Sequence, residues 1–279
     1  MKKEFFYILF VIFITCSPKL KSKIDKNYPP LSKDELVVVL DLQDSQSITG
    51  DIIGVVQAKD GGLAVNCTYF ENILNLKNMA RAAGANLIKI TTYKTPDNWS
   101  TCHRLHATIY KVANPKIYET EIEWSANRKL TWDDFKGEPD VINNPNTLAL
   151  TKSGFGYESG INFFKEGQIF VHSVFNTRES WVVLKGRNDY VLRHEQIHFD
   201  ITEIYTRKLR KELIDAKVTN ENVERAKVIF DKVYNELSER QKRYDNETKY
   251  GDKKETQEHW EAIVEIELAK YDLYKKQVL

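Results

Sequence analysis

The spacing of apolar residues in the first part of the chain predicts a small α/β domain. Helical spacing over residues 73–83 predicts one helix, and Gly84 supplies its end. An Asp-Gly-Gly turn signal lies at residues 60–62. β-branched and other apolar residues predict strands at residues 36–40, 52–56, 87–93 and 105–112. We therefore expect this domain to cover residues 35–116.

The second part has a different pattern, in which short strands precede long helices. Residues 154–164 and 169–175 alternate between apolar and polar positions around a turn at residues 166–167, which predicts a β-hairpin. After Gly186 the apolar spacing is helical almost throughout. Strands followed by helices are typical of an α+β fold, which we predict for residues 117–279.

A short apolar run near the N-terminus indicates secretion. Two lysines precede an unbroken apolar run at residues 5–14, which is too short to span a bilayer as a helix. This is the layout of a signal peptide, which we place at residues 1–15. Cys16 follows, which resembles the lipobox of bacterial lipoproteins, although Thr15 stands where a smaller residue is usual. The other interpretation is an ordinary signal peptide with an incidental cysteine.

Residues 16–34 have the composition of a flexible tether. They contain several lysines, two adjacent prolines and few apolar residues. Two or three acyl chains at Cys16 would anchor the protein stably to a membrane. Because no acidic cluster follows Cys16, we expect a lipoprotein of the bacterial envelope that faces the periplasm, at the outer membrane.

Composition and charge exclude several other classes of protein. The chain has 279 residues, of which 42% are apolar and 29% charged, so collagens, low-complexity proteins and polytopic membrane proteins are excluded. The net charge of +1 gives no reason to expect nucleic acid as a partner. Three cysteines are too few for a disulfide scaffold. In an oxidising periplasm, however, Cys67 and Cys102 could pair with each other.

One short motif indicates a metal site. His194, Glu195 and His198 form an H-E-x-x-H sequence within a helical pattern. Residues four apart share one face of a helix, so both imidazoles could bind one zinc ion. Glu195 would then be the general base that deprotonates the attacking water. The alternative is a helix with two hydrogen-bonded histidines and a surface glutamate.

The helix that carries this motif is predicted to fold back against a second helix. The first helix should cover about residues 188–215, with polar residues at its start. Apolar residues at helical spacing over residues 223–237 mark the second helix, with Thr219 or Asn220 as its cap. In a hairpin that turns near residue 218, the chain retraces its length at about 1.5 Å per residue.

This hairpin limits the candidates for a third zinc ligand. The counterpart of residue 196 lies near residue 240, so residues 244–251 return to within about one or two helical turns of the motif. That segment offers Asp245, Glu247 and Tyr250. A carboxylate is an ordinary zinc ligand, and the alternative is that these are merely polar residues at a helix end.

Several segments of the second part also resemble those of one bacterial family. The similar segments are residues 122–124 (IEW), 130–137 (LTWDDFKG), 180–182 (SWV), 192–201 (LRHEQIHFDI) and 244–248 (YDNET), with Gln257 and Trp260 downstream. This domain-of-unknown-function family is described as predicted secreted zinc-dependent proteases. The resemblance covers about residues 119–273 and implies a zincin-like peptidase. That family usually has His before Gly in its last motif, where this chain has Tyr250 before Gly251.

The resemblance also suggests roles within residues 244–251. Asp245 lies in the part that best matches the family, so we predict Asp245 as the third zinc ligand. Glu247 is the alternative, because its spacing to Tyr250 and Gly251 is similar to the Asp-x-x-Tyr-Gly signature of aspartate-ligand zincins. Tyr250 would then donate a hydrogen bond to the developing oxyanion, or bind zinc in place of the family's usual His.

We therefore expect a membrane-anchored, periplasmic zinc metallopeptidase that acts on a peptide or protein substrate. Residues 168–175 would form an edge strand that pairs with an extended peptide. Two other functions stay open at this point. One is a non-catalytic envelope lipoprotein with a structural or lost zinc site, and the other is a zinc amidase that acts on the cell wall.

Overall fold

The computed structural model divides the chain into two compact units. It describes residues 17–62, 64, 66–160, 168–218 and 222–275, so the predicted signal peptide and Cys16 lie outside the described residues. The first unit contains residues up to 37, 41–43 and 48–112, and the second contains residues 38–40, 44–47 and those from 113 onwards. Within the described part of the chain, no helix is long and apolar enough to cross a membrane.

Strands dominate the first unit and long helices end the second, as the predicted α+β class requires. The elements, in chain order, are β1 (Lys19–Ile24), β2 (Val38–Leu40), β3 (Asp51–Lys59), α1 (Tyr69–Ala82), β4 (Leu87–Lys94), β5 (Arg104–Lys111), β6 (Glu121–Glu123), β7 (Ala149–Leu150), β8 (Ser153–Gly160), β9 (Gln168–Asn176), β10 (Trp181–Val182), α2 (Asp189–Asp215), α3 (Val223–Thr248) and α4 (Lys254–Lys270). Short 3₁₀ turns lie between some of them.

The first unit is an antiparallel sheet with one helix on one face. Its strands lie in the order β1, β3, β5 and β4. The helix α1 begins at a capping box, in which Thr68 and Glu71 satisfy each other's backbone N–H groups. Leu76 and Ala80 of α1 are fully buried, and the chain leaves the helix through Gly84 at a φ of 76°.

The prediction of a flexible tether over residues 16–34 is wrong for β1. This strand pairs with β3 from Lys19, opposite Lys59, to Ile24, opposite Gly54. Every side chain of β1 is exposed. Backbone hydrogen bonds therefore hold the strand at the sheet edge. The sequence did not predict it, because β1 lacks the alternation of buried apolar residues by which strands are recognised.

A disulfide joins Cys67 to Cys102 in the first unit, with the two Cα atoms 5.0 Å apart. Both cysteines are buried, and they connect the residue before the cap of α1 to the loop before β5. The backbone N–H of His103 also donates to the Cys67 carbonyl. The crosslink thus fastens the helix start to the sheet.

The second unit contains a three-stranded antiparallel sheet in the order β6, β9 and β8. The predicted hairpin is present as β8 and β9, which pair from Ser153 with Phe175 to Gly160 with Gln168. The predicted turn of this hairpin lies outside the described residues. A separate pair is formed by β7 and β10.

The prediction that residues 168–175 form an edge strand is wrong. The strand β9 lies in the centre of the sheet, because Ile122 of β6 pairs with Phe175 on the side opposite to β8. With 3 residues, β6 is too short to give a clear alternating pattern in the sequence. Among the described residues, β6 and β8 are the two edge strands, and neither has a strand partner on its outer side.

The helices α2 and α3 form the predicted antiparallel hairpin. Lys208 of α2 bonds Glu236 of α3, and Glu212 accepts from Lys232, so the contacts run in opposite directions along the two helices. The predicted caps Thr219 and Asn220 lie outside the described residues, and α3 begins after Asn222. The apolar core between these helices, α4 and the sheet includes Ile197, Ile201, Leu209, Val233 and Trp260.

Candidate metal centre

The start of α2 places the H-E-x-x-H motif in the second and third turns of a long helix. The Asn188 side chain accepts hydrogen bonds from the N–H groups of Tyr190 and Val191 and so caps the helix. His194 and His198 follow on one face, with their Nε2 atoms 3.2 Å apart.

The helix α3 brings Asp245 to this histidine pair. Its Oδ1 atom lies 3.0 Å from His198 Nε2 and 3.4 Å from His194 Nε2. The three side chains can each offer one ligand atom, with all three atoms within 4.8 Å of one another. Of the predicted third ligands, Asp245 is therefore the one that the structure brings to the motif.

The spacing of these three atoms fits a single zinc ion. Two nitrogen ligands about 2.0–2.1 Å from a tetrahedral zinc ion lie about 3.3 Å from each other. The separations of 3.0 to 3.4 Å agree with this value. Two imidazole nitrogens and one carboxylate oxygen also form an ordinary donor set for zinc, with a fourth position left for water or substrate.

Two glutamines fix the orientation of the imidazole rings. The Nδ1 atom of His198 lies 2.7 Å from Gln241 Oε1, and the Nδ1 atom of His194 lies 3.3 Å from Gln257 Oε1. Each amide is oriented by its other end, since Gln241 Nε2 donates to the His198 carbonyl and Gln257 Nε2 donates to the Tyr190 carbonyl. Both Nδ1 atoms therefore donate to a glutamine oxygen, so a metal ion would bind at Nε2, where it would replace any proton shared with Asp245.

The charge of Asp245 dominates the local electrostatics. Burial alone would raise its pKa, but hydrogen bonds from His194 and His198 outweigh burial and hold the pKa of Asp245 well below its usual range. Burial would likewise lower the pKa of His198, but Asp245, Glu195 and Gln241 together raise it. Asp245 and Glu195 thus favour positive charge between these side chains, whether as a proton on an imidazole or as a metal cation.

Glu195 is buried next to this cluster, with 4% of its surface exposed. Its negative charge contributes to raising the pKa values of both His198 and Tyr244, which places the carboxylate close to these rings. The backbone carbonyl of Glu195 accepts a hydrogen bond from Thr151, just before β8. Glu195, the predicted general base, therefore lies near the candidate ligands, and β8 begins beside it.

Aromatic side chains form one wall of the site. The Tyr244 ring stacks on His194, with the ring centres 4.6 Å apart, and Trp260 meets the Tyr244 ring edge-on at 5.2 Å. Tyr244 and Trp260 are fully buried. This packing holds the His194 ring on one side, while Gln257 holds its Nδ1 edge.

The opposite face of the motif helix is held by the loop after β6. Gln196 accepts a hydrogen bond from the backbone N–H of Leu130, and Asp200 accepts one from the indole N–H of Trp124. Gln196 also donates to Asp200. These contacts fix the rotation of α2 about its axis.

Glu247 and Tyr250 do not join the cluster. Glu247 instead accepts a hydrogen bond from the indole N–H of Trp260 and lies near Arg243. The Tyr250 side chain is 75% exposed, and its backbone N–H donates to the Asp245 carbonyl. The role predicted for Tyr250 in catalysis stays a prediction.

Sequence reasoning did not assign roles to the two glutamines. Gln241 lies four residues before Asp245, so the helical spacing could have placed it on the same face of α3. Gln257 was marked only by the family resemblance, because its position depends on the turn between α3 and α4. That turn contains Lys249, Tyr250 and Gly251, all at positive φ.

Comparison with known proteins gives one match. A family model described as "Bacterial protein of unknown function (DUF922)" matches residues 174–251. The matched range runs from the end of β9 through the H-E-x-x-H motif and Asp245 to the turn after α3. No curated protein and no solved structure matches the chain.

Proposed function

We propose that the second unit is a zinc-dependent metallopeptidase. The observation that carries this proposal is the convergence of His194 Nε2, His198 Nε2 and Asp245 Oδ1 at separations that suit zinc. A buried glutamate directly follows the first histidine, as in the H-E-x-x-H arrangement of metallopeptidases. These two features together favour hydrolysis over a purely structural metal site.

His194, His198 and Asp245 would hold the zinc ion. Zinc bound there would supply a Lewis acid that lowers the pKa of water and polarises a peptide carbonyl. Glu195 accepts the proton of the attacking water and later donates it to the leaving amine. Gln241 and Gln257 keep both histidines in the tautomer that presents Nε2.

The exposed edge of β8 is the proposed position for an extended peptide. The segment that leads into β8 contacts the motif helix, since Thr151 donates to the Glu195 carbonyl. Ser153 lies next to Thr202 of α2, with their hydroxyl oxygens 2.7 Å apart. A peptide that adds to this edge would therefore run beside the candidate metal centre.

The expected anchor at Cys16 also remains a proposal. It would keep the peptidase at the periplasmic side of a bacterial membrane, with proteins or peptides of that compartment as substrates. Cys16→Ser should release the chain from the membrane fraction or block its processing, and an unmodified mature N-terminus elsewhere would contradict the anchor.

The proposed activity is tested by removing and restoring the metal. The purified chain from Ser17 onwards contains every described helix and strand. We expect it to contain zinc and to hydrolyse a denatured protein, to lose activity when a chelator removes the metal, and to regain it on addition of zinc. Tightly bound zinc without hydrolysis of denatured protein would favour the structural alternative. Hydrolysis of cell-wall amide bonds instead would favour the amidase.

A further inference from the structure

One face of the first unit's sheet is left uncovered by α1. Residues directly opposite each other in antiparallel strands project to the same side of the sheet. Val56, Ala107 and Ile90 form such a set, and all three are buried on the side of α1. The neighbouring residues along each strand point away from α1. They form three rows across the sheet, and no residue in these rows is buried.

The first row of this uncovered face lies at one end of the sheet and is entirely basic. Lys19 pairs with Lys59, and Lys94 pairs with Arg104. Ala58 pairs with Leu105, so one step further along the same register places Lys59 opposite Arg104. Four cationic side chains therefore cross β1, β3, β5 and β4 in one line.

The next two rows add Lys21, Lys23 and Lys89, and their other positions hold neutral residues or His106. No Asp or Glu occupies any position in the three rows, which we call the basic face. Burial lowers the pKa of His106, and the charges of Lys59 and Lys94 lower it further. The positive charges of Lys59 and Lys94 in the first row therefore act on His106 in the second row.

Few carboxylates neutralise the basic face. Arg104 bonds Asp97, and Lys23 lies 3.5 Å from Asp25. Within the described part of the chain, no carboxylate forms an ion pair with Lys19, Lys21, Lys59 or Lys94. Lys89 donates to the backbone carbonyls of Asp41 and Leu42, so among the described residues the charges without a carboxylate partner are those of Lys19, Lys21, Lys59 and Lys94.

The end of the sheet with the basic row also holds the start of the described chain and an exposed tryptophan. A Cβ atom on Gly61, in the turn after β3, would lie 2.6 Å from the Ser17 carbonyl oxygen. Ser17 is therefore fixed beside that turn. Trp99, in the loop between β4 and β5, is 94% exposed, although its backbone N–H is held by Asp97.

We propose that the basic face docks on an anionic phospholipid surface, with Trp99 at the lipid–water boundary. Lysines near an anionic membrane are attracted to its negative surface potential, and tryptophan favours the interface between headgroups and acyl chains. Cys16 is covalently next to Ser17, so an acylated Cys16 would bring this end of the sheet to the membrane. The docking proposal rests on the proposed anchor at Cys16 and on no other part of the proposed function. It is independent of the metal centre.

The features of the face favour lipid over nucleic acid. Surfaces that bind single-stranded nucleic acid combine cations with aromatic rings on which bases stack. The three rows contain no Phe, Tyr or Trp, and Trp99 lies outside them in the loop between β4 and β5. Acyl chains on Cys16 would also lie at this end of the sheet, because Cys16 precedes Ser17 directly. No comparable attachment would bring nucleic acid there.

The experiment measures binding of the chain from Ser17 onwards to lipid vesicles by co-sedimentation. This chain lacks Cys16, so docking is separated from anchoring. We expect binding to vesicles of phosphatidylglycerol and phosphatidylethanolamine, weaker binding as salt increases, and no binding to phosphatidylcholine vesicles. A blue shift of tryptophan fluorescence on binding should disappear in Trp99→Phe.

Two matched triple variants test the position of the charge. Lys21→Gln, Lys59→Gln and Lys94→Gln together should weaken binding to the anionic vesicles by at least about tenfold. The control triple removes the same charge at exposed lysines elsewhere and should change binding by less than about twofold. The control positions are Lys33, Lys185 and Lys254.

Circular dichroism and unchanged unfolding of both variants establish that they are folded. Absence of binding to anionic vesicles, or equal weakening by the two triple variants, would overturn the proposal. Tighter binding to single-stranded DNA than to anionic vesicles at the same ionic strength would also overturn it. Loss of vesicle binding would leave the anchor at Cys16 and the peptidase proposal untouched, because neither is measured here.

Discussion

Asp245 and Glu247 lie on the same helix two residues apart, yet only Asp245 points to the histidines. The Asp245→Ala variant should lose most of its bound zinc, because two imidazoles alone hold zinc weakly. The helices should stay folded, since Asp245 is partly exposed and lies outside the apolar core. Glu247→Gln is the matched control and should retain zinc, because an amide oxygen can still accept from Trp260. Metal analysis of both purified variants decides, and full zinc content in Asp245→Ala would contradict the ligand assignment.

The glutamine beside His198 should tune zinc affinity without binding the metal. Gln241→Leu removes the acceptor for the His198 Nδ1–H group. We expect zinc affinity to fall about 10–100-fold, as is usual when the partner of a metal-binding histidine is removed. Competition with a chromophoric chelator measures the affinity.

The control for this position is Gln241→Glu, which keeps an oxygen acceptor. It should restore most of the affinity, and nitrogen NMR of the metal-free protein, at a pH above the raised pKa of His198, should show the proton on Nδ1. In Gln241→Leu the tautomer signal should become mixed. Equal affinities in all three proteins would show that Gln241 does not position His198.

The turn after α3 connects this helix, which carries Asp245, to α4 through strained backbone. Lys249 and Tyr250 have φ values of 51° and 54°, and Gly251 has a φ of 89°. A Cβ atom on Gly251 would also lie 3.4 Å from His194 Nδ1. Gly251→Ala should therefore lower the free energy of unfolding by about 1–2 kcal/mol.

A second substitution in the same turn should change the free energy of unfolding in the opposite direction. Lys249→Gly removes the side chain from a left-handed conformation and should raise the free energy of unfolding by up to about 1 kcal/mol. Urea denaturation of the metal-free variants measures both changes. A stabilising Gly251→Ala variant would mean that this turn is not constrained as described.

The elements also show what the sequence pattern can and cannot predict. The helices α2 and α3 were predictable because each buries a long apolar stripe. Their antiparallel pairing limited the third ligand to residues 244–251, and within that segment the family resemblance selected Asp245. The strands β1 and β6 were not predictable, because β1 buries no side chain and β6 has 3 residues. The strand β9 was wrongly predicted at an edge because only one of its two partners, β8, could be recognised in the sequence.

At the scale of the whole molecule, the two units depend on different constraints. The disulfide closes a loop with a sequence separation of 35 in the first unit. Replacing both cysteines by Ser should lower the free energy of unfolding of this unit by about 3–4 kcal/mol in the chain-entropy model. Denaturation with and without a reductant measures this, and the variant itself should not respond to reductant. Equal stability of the wild-type protein in both conditions would contradict the crosslink.

A zinc ion held by His194, His198 and Asp245 is proposed to act together with Glu195 as general base. The most direct test determines zinc content and the rate of hydrolysis of a denatured protein in one preparation of Glu195→Gln, beside the wild-type protein. We predict that zinc content is unchanged, because Glu195 is not a ligand, while the rate falls by about 10²–10⁴-fold. A near-normal rate in Glu195→Gln would contradict the mechanism, and loss of zinc from this variant would contradict the ligand set.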